Sequence, residues 1–424
     1  MKKFLTFCIL FVVVFMSMLS GCVNSEHPNN NIINSTSLSH STINITKNIT
    51  NSQIKTPIVE YAKNFKLTYY DKNGNEVNPY TNGDKWAYKV LIDALGQKFL
   101  LKNASEPVPS WAKEKLGDNF KVINVPLKRV VVMSSTEIAL MEAINNDGSV
   151  IGSVKGIMWG KAYKWYFNNI KEGLENGSII DVGSTSNPNW DKIIELKPQV
   201  IFVYPGYDGN KVISKCKELG ITYVADAEYL ENDPLGRCEW VKMFAAFYNK
   251  EPEAKRYFDK IVDNCLMVMN KTKNCPKVTV AWGYNSQWGC YVPENNSYVA
   301  KEITIYCNGD YIFKDLNGTG SAKIDYETFA ERARNADVWV IPSSVKWLTT
   351  FKKDNPGYET FKAVKNGRVF CESEDYWQLG LLKTDEVIMD LATIMHPEAF
   401  KGRKTHFFLK YNIENNTATP FIAK

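Results

Sequence analysis

Hydrophobic and polar positions divide the chain into three stretches of different character. Residues 4–19 are almost wholly apolar behind Lys2 and Lys3, and at 16 residues they fall short of the roughly 20 that a membrane-spanning helix needs. This is the pattern of a secretory signal, occupying 1–21. Residues 22–56 are dominated by Asn, Ser, Thr and Ile with neither a helical nor an alternating period, so they cannot bury a core and read as a tether. From residue 57 the pattern becomes that of a folded body. Alternating segments such as Phe65-Lys66-Leu67-Thr68-Tyr69-Tyr70, closed by the turn Asp71-Lys72-Asn73-Gly74, predict a hairpin-rich leading segment over 57–121.

An α/β rhythm follows. Arg129-Val130-Val131-Val132-Met133 is a short β-branched run of the kind buried on both faces of a parallel sheet, and Ser134-Ser135-Thr136-Glu137 opens a helix with capping residues. Strands over 150–154, 179–182, 199–204 and 222–225 alternate with helices over 190–196 and 210–219. The right-handed crossover rule makes this first lobe, 122–250, doubly wound, with its ligand-facing loops at the carboxyl ends of the strands. A helix over 235–248 leads into Asn249-Lys250-Glu251-Pro252-Glu253, where Asn can cap, Pro fits a first turn and the acids suit the positive end of the dipole. The helix that begins there, 251–274, keeps near-helical apolar spacing for about 20 residues, roughly 30 Å, enough to cross between lobes. A second rhythm occupies 275–424, with strands over 277–282, 337–341 and 368–371, helices over 326–334, 357–364 and 384–395, and a segment around 299–306.

Composition and charge then remove several functions. Lys and Arg total 51 against 46 Asp and Glu, a net charge of +5 with no long basic cluster, which argues against a nucleic-acid partner. The four histidines are His27, His40, His396 and His406, so the middle of the chain has none for a His-based metal site or triad. Nucleophile-elbow, zincin, Walker and dinucleotide-loop motifs are missing from the sequence, leaving a carboxylate-pair hydrolase as the enzyme alternative. Sequons at Asn34, Asn44 and Asn48 in the tether suit a glycosylated, even purely adhesive, surface protein. Leu19-Ser20-Gly21-Cys22 resembles the lipobox of prokaryotic lipoproteins, which makes Cys22 the lipidation site and holds the body on the outer face of the cytoplasmic membrane. Cys216, Cys238, Cys265, Cys275, Cys290, Cys307 and Cys371 remain, without a Cys-x-x-Cys spacing; they read mainly as small buried residues, with one or two disulfides open.

A resemblance runs in order along residues 122–395. Val125-Pro126-Leu127-Lys128-Arg129 with the strand after it, Val150-Ile151-Gly152-Ser153, and Trp190-Asp191-Lys192-Ile193-Ile194-Glu195-Leu196-Lys197-Pro198 resemble the first lobe of the substrate-binding proteins of ABC importers for ferric siderophores and cobalamin. Asp325-Tyr326-Glu327-Thr328-Phe329 and Ala336-Asp337-Val338-Trp339-Val340-Ile341 are similar to the family's second lobe, and Pro234-Leu235-Gly236-Arg237-Cys238-Glu239-Trp240 to a segment before its linking helix. The resemblance implies an α/β fold of two doubly wound, Rossmann-like lobes joined by a single long rigid helix, with the ligand in the cleft between them. It also implies docking on an ABC permease dimer with its ATPase subunits through one acid per lobe, positions that fall on Asp191 and Glu327. Asp191 departs from the family's usual Glu, a shorter arm for the same contact. Residues 57–121 have no counterpart in the compact members of the family.

Loops expected at the cleft are rich in aromatics and carry a few cations. Candidate ligand-binding residues are Ser135, Lys155, Trp159, Tyr204, Tyr207 and Arg237 in the first lobe, and Trp282, Tyr284, Trp288, Lys346, Trp347 and Trp377 in the second. Rings give flat contact at low entropic cost, and Lys or Arg can pair with carboxylate, catecholate or phosphate oxygens of a bulky anionic chelate. Arg237 stands at a helix start, where a cation opposes the dipole, and is expected to reach a ligand oxygen or the cleft. With so few histidines, the protein is expected to hold no metal or cofactor of its own; any metal arrives as a pre-formed ferric chelate, with a corrinoid as the alternative ligand.

Overall fold

The computed structural model describes residues 58–80 and 86–424; the signal, Cys22 and the tether lie outside the described residues. The leading segment is a five-stranded sheet of β1 (Lys66–Tyr70), β2 (Glu76–Val77), β3 (Tyr88–Ile92), β4 (Lys98–Asn103) and β5 (Lys121–Val125), in the order β2-β1-β3-β4-β5. Its first four strands pair antiparallel and β5 joins β4 in parallel. The closing strand therefore crosses residue 122, where the sequence pattern places the start of the first lobe.

The first lobe has an all-parallel sheet of β6 (Val130–Val132), β7 (Val154–Ile157) and β8 (Ile180–Asp181). A short hairpin of β9 (Gly183–Ser184) and β10 (Asn187–Pro188) follows, and then β11 (Val200–Val203) and β12 (Tyr223–Ala225) complete the sheet. The strand order β12-β11-β6-β7-β8 is that of a doubly wound fold, reversing direction between β6 and β11. One strand lies later than the sequence pattern predicts: Val150-Ile151 belongs to a tight turn, Ile151–Ser153, and β7 begins at Val154. The helix expected over 235–248 is two, Pro234–Glu239 and Val241–Tyr248, meeting at the buried Trp240.

The linking helix, Glu251–Thr272, has 22 residues, about 33 Å at 1.5 Å per residue. It buries Ala254, Phe258, Ile261, Cys265 and Val268, a stripe at three- and four-residue intervals. In the second lobe come β13 (Thr279–Trp282), β14 (Tyr284–Ser286), β15 (Gly289–Pro293), β16 (Asp310–Tyr311), β17 (Ser321–Ile324), β18 (Val338–Ile341), β19 (Val369–Glu372), β20 (Lys404–Asn412) and β21 (Thr417–Ile422). The main sheet runs β16-β13-β18-β19-β20-β21, parallel as far as β19 and finished by an antiparallel hairpin, while β14, β15 and β17 form a separate antiparallel sheet. The protein is thus α/β, two doubly wound lobes joined by one long helix. One continuous core runs from the leading sheet through the linking helix into the second lobe. All seven body cysteines are free, and only Cys275 is not buried. Among the described residues no helix is long and apolar enough to cross a membrane.

The leading sheet is fastened to the base of the linking helix by carboxylates. Glu239 accepts the backbone N–H groups of Glu60, Tyr61 and Ala62 at 2.7–3.0 Å, and Glu231 those of Lys63 and Asn64 at 2.9–3.1 Å. Lys89 in β3, fully buried, pairs with Glu251 in the first turn of the linking helix at 2.6 Å. Asp93, at the β3–β4 turn, accepts from the Ala225 N–H at 2.9 Å and so covers the edge of the first lobe's sheet.

Candidate functional site

In a doubly wound sheet, ligands bind outside the carboxyl ends of the strands where the strand order reverses. At that end of β6, Ser134 caps the helix Ser135–Glu142 in a reciprocal box: its Oγ accepts from the Thr136 N–H at 3.1 Å, while Glu137 accepts from Met133 and Ser134. Only Oε2 of Glu137 is used; Oε1 is buried without a hydrogen-bond partner, and burial pushes this carboxyl up to about 8.

Arg237 lies in the helix Pro234–Glu239, which Asp233 caps by accepting from the Leu235 N–H at 2.9 Å. Its guanidinium lies over the Tyr298 ring at 4.4 Å and is ion-paired to Glu228. The helix is only six residues long, so Arg237 falls in its last turn, where a cation suits the dipole; the helix-start position expected from the sequence is corrected, and the guanidinium is held by Glu228. Asp226 stands beside Glu228; burial, then the charges of Glu228 and Glu137, push its carboxyl well above the usual range.

Across from these, the second lobe contributes Glu302 at the start of a wide π turn, Glu302–Tyr306, and Glu372 at the end of β19. Burial raises both carboxyls, Glu302 to about 8, with Arg237 opposing the shift; Trp377 donates to Glu372. Each keeps one buried oxygen, Oε2, without a partner. Between the lobes is a narrow cavity lined by Thr136, Pro234, Arg237, Glu302, Tyr376 and Trp377, with room for about one water molecule.

Polar pairs close this cleft. Ser135 donates through its hydroxyl to the Trp377 carbonyl at 3.2 Å. The Tyr166 N–H donates to Gln378 Oε1 at 2.9 Å, and Gln378 returns a bond to the Lys164 carbonyl at 2.9 Å. Glu374 accepts from the Tyr166 hydroxyl at 3.0 Å and pairs with Lys164 at 3.3 Å.

The sequence-predicted residues divide by environment. Arg237 and Trp377 line the cavity, Ser135 bonds to the Trp377 carbonyl beside it, and Trp377 keeps 38% of its surface exposed. Lys346 and Trp347 are exposed together, 5.0 Å from ammonium to ring, on the side of Glu374, whose charge Lys346 feels. Trp159, Tyr204 and Trp282 are buried in lobe cores: Trp159 stacks on Tyr163, Tyr204 meets Tyr229 edge-on, and Trp282 packs on Phe408. Lys155 donates to the Gly152 carbonyl at 2.7 Å. Tyr284 stacks on Phe351, and Trp288 sits at the β14–β15 turn. The side chain of Tyr207 lies outside the described residues. Asp191 and Glu327 are exposed in the first turns of the helices Trp190–Leu196 and Tyr326–Ala333. Sequence reasoning did not single out the buried acids; in Glu137 the capping pattern was the visible signal. It also expected cations to greet the ligand, whereas acids outnumber the one buried arginine around the cavity.

No group of three or more His, Cys, Asp or Glu side chains among the described residues is arranged to hold a metal ion. The arrangement is suited to binding between lobes.

Comparison with known proteins agrees with this architecture. A lipoprotein of Methanocaldococcus jannaschii is 80% identical over the full length of both chains. The Fe(3+)-citrate-binding protein YfmC of Bacillus subtilis is 25% identical over 59% of this chain and 74% of its own. A periplasmic heme binding protein from Pseudomonas aeruginosa shares the fold with a TM-score of 0.52 at 13% identity, covering 66% of this chain and 96% of its own. Residues 158–375 match the model of the periplasmic binding protein family, and with two lobes, a linking helix and an interlobe cavity in place, the chain belongs to that family.

Proposed function

We propose that this protein is the extracytoplasmic, lipid-anchored substrate-binding component of an ABC importer, capturing a metal chelate of the ferric siderophore type and delivering it to a membrane permease. The observation that carries the reading is the interlobe cavity of a periplasmic binding protein, set at the carboxyl end of β6 and bridged at its mouth by polar contacts such as Ser135 to Trp377 and Tyr166 to Gln378. The exposed contacts among them, Ser135 to Trp377 and Tyr166 or Lys164 to Glu374, are worth about 1 kcal/mol or less each, so the mouth of the cleft opens at smaller cost than the core behind it. The lipoprotein name of the 80% identical relative and the ferric citrate ligand in the name of the more distant one support anchoring and an iron chelate. Asp191 and Glu327, one exposed acid on each lobe, are the docking points; charge pairs at two separated positions set orientation and release when the partner changes shape. Isothermal titration of the purified protein with ferric chelates and corrinoids tests the reading. Saturable binding of a ferric chelate is expected; a corrinoid alone would redirect the ligand, and binding by neither class would sink the proposal.

A further inference from the structure

Buried charge around the cavity is lopsided. Glu137, Asp226 and Glu228 from the first lobe and Glu302 and Glu372 from the second are each no more than 3% exposed. The buried cation among them, Arg237, is already bound to Glu228. Some of these acids have structural work for one oxygen, as Glu137 does in its capping box, yet Glu137, Glu302 and Glu372 each retain a buried oxygen with no hydrogen-bond partner. Glu302 is the informative one, because its side chain also lines the cavity. Leaving such an oxygen unsatisfied costs about 1–3 kcal/mol, a cost that an arriving donor removes.

The acids do not converge on one point, since no three of them are placed to share an ion. That geometry does not suit a bare cation. It suits a ligand that presents donors at separate places on its shell.

We infer that the cleft selects a chelate carrying positive charge, a ferric complex with ammonium or amide N–H groups on its periphery that Glu302 and its acidic neighbours receive, and that it rejects anionic chelates, so that it shares with the ferric-citrate-binding relative the metal but not the charge of the ligand. The inference rests on the reading of the cleft as a chelate site and names the charge class of its ligand. An ammonium beside Glu302 makes a charge-assisted bond in low dielectric, where such bonds are strongest, while a ligand carboxylate or catecholate there meets like charge. Burial holds the Glu302 carboxyl protonated near neutrality in the closed cleft; an adjacent cation restores its charged form. Protonated acids could instead donate to an anionic ligand, and glutamine separates the two cases: its amide still donates but cannot carry the charge.

The test uses one metal core with three charges: a linear ferric trihydroxamate with a free terminal ammonium, the same chelate acetylated at that amine, and the same chelate succinylated there. Each is titrated into the full-length protein in detergent, followed by calorimetry. The ammonium form is expected to bind at least about tenfold more tightly than the succinylated one, the size of one charge-assisted hydrogen bond. Glu302→Gln is expected to remove most of that preference, with Glu372→Gln as a second isosteric variant and melting temperature as a check on folding. Equal or tighter binding of the succinylated form overturns the inference, as does a preference that survives both glutamine variants. Binding of none of the three overturns the chelate reading itself, a result distinct from loss of charge selection.

Discussion

Replacing Lys89 by Met tests how the leading sheet is coupled to the linking helix. The Lys89 ammonium is fully buried, 2.6 Å from Glu251, and also donates to the Ala246 carbonyl and Asn249 Oδ1, both at 2.7 Å, with the Trp86 ring 4.1 Å away. Burial pulls the Lys89 pKa down and Glu251 opposes it, so the charge persists through its partner. Methionine fills much the same volume but strands the Glu251 carboxylate, to which the Tyr69 hydroxyl still donates at 3.1 Å. Removing one member of a buried ion pair costs about 3–5 kcal/mol, more than the two lost carbonyl contacts at about 1 kcal/mol each. If the pair holds β3 to the helix, amide hydrogens of β3 should exchange roughly 150- to 5,000-fold faster in Lys89→Met under conditions where exchange follows the opening equilibrium. Adding Glu251→Gln removes the stranded charge while keeping an acceptor for Tyr69, so the double variant should recover about 2 kcal/mol of the loss. Exchange changed less than about fivefold in Lys89→Met, or a double variant whose cost is the sum of the two singles, would refute the reasoning.

Four further outcomes follow from the same contacts. Glu137 and Glu302 titrate near 8 in the fold against 4.5 as ordinary carboxyls; the folded state binds more protons between those values, so stability is full below about 4.5, falls as pH rises toward 8 by up to about 1.4 kcal/mol per unit per group, and then levels. Denaturant melts at pH 5 and 8 should show this, and Glu302→Gln should flatten the slope. Glu239→Gln weakens the seat of residues 60–62 by about 2 kcal/mol, read as faster limited proteolysis at Lys63 with the lobes intact. Combining Glu374→Ala with Gln378→Ala unlatches the cleft and should enlarge the open fraction severalfold by interlobe energy transfer; an unchanged distance distribution contradicts the latch. Asp191→Ala with Glu327→Ala should abolish uptake in reconstituted vesicles while leaving ligand affinity within about twofold.

The lobes were legible because parallel strands buried on both faces write themselves as β-branched runs. Val130–Val132, Val200–Val203 and Val338–Ile341 fall within the predicted segments, and the Ser134 box and the helix Thr384–Met395 sit where the pattern puts them. The same signal misleads where a short apolar run is a buried turn, as at Val150-Ile151, since periodicity cannot separate the two at that length. The closing hairpin of β20 and β21 escaped because its alternation is interrupted by Phe407-Phe408, both buried, and its turn has the left-handed Asn416 in place of a glycine. Pairing at long range was illegible altogether: nothing near Tyr61 in the chain announces that its N–H belongs to Glu239.

The site was read least well, and for a related reason. Aromatics are assigned to the cleft from the sequence because their loops fall at strand ends, but Trp159, Tyr204 and Trp282 complete the lobe cores, where a ring removes most of its surface from water. Apart from Glu137, marked by its capping box, the buried acids have no signature in the sequence, since a Glu that ends in the interior is spelled like the many that end in solvent. Arg237 was the trace they left. A buried guanidinium needs an anion, and that anion, Glu228, lies near Asp226, whose carboxyl is pushed up by burial and then by the charges of Glu228 and Glu137. Read alone, that arginine calls for an anionic ligand, whereas in the fold its charge is paired with Glu228, and it is the unpartnered oxygens of Glu302 and Glu372 that carry the charge selection proposed above.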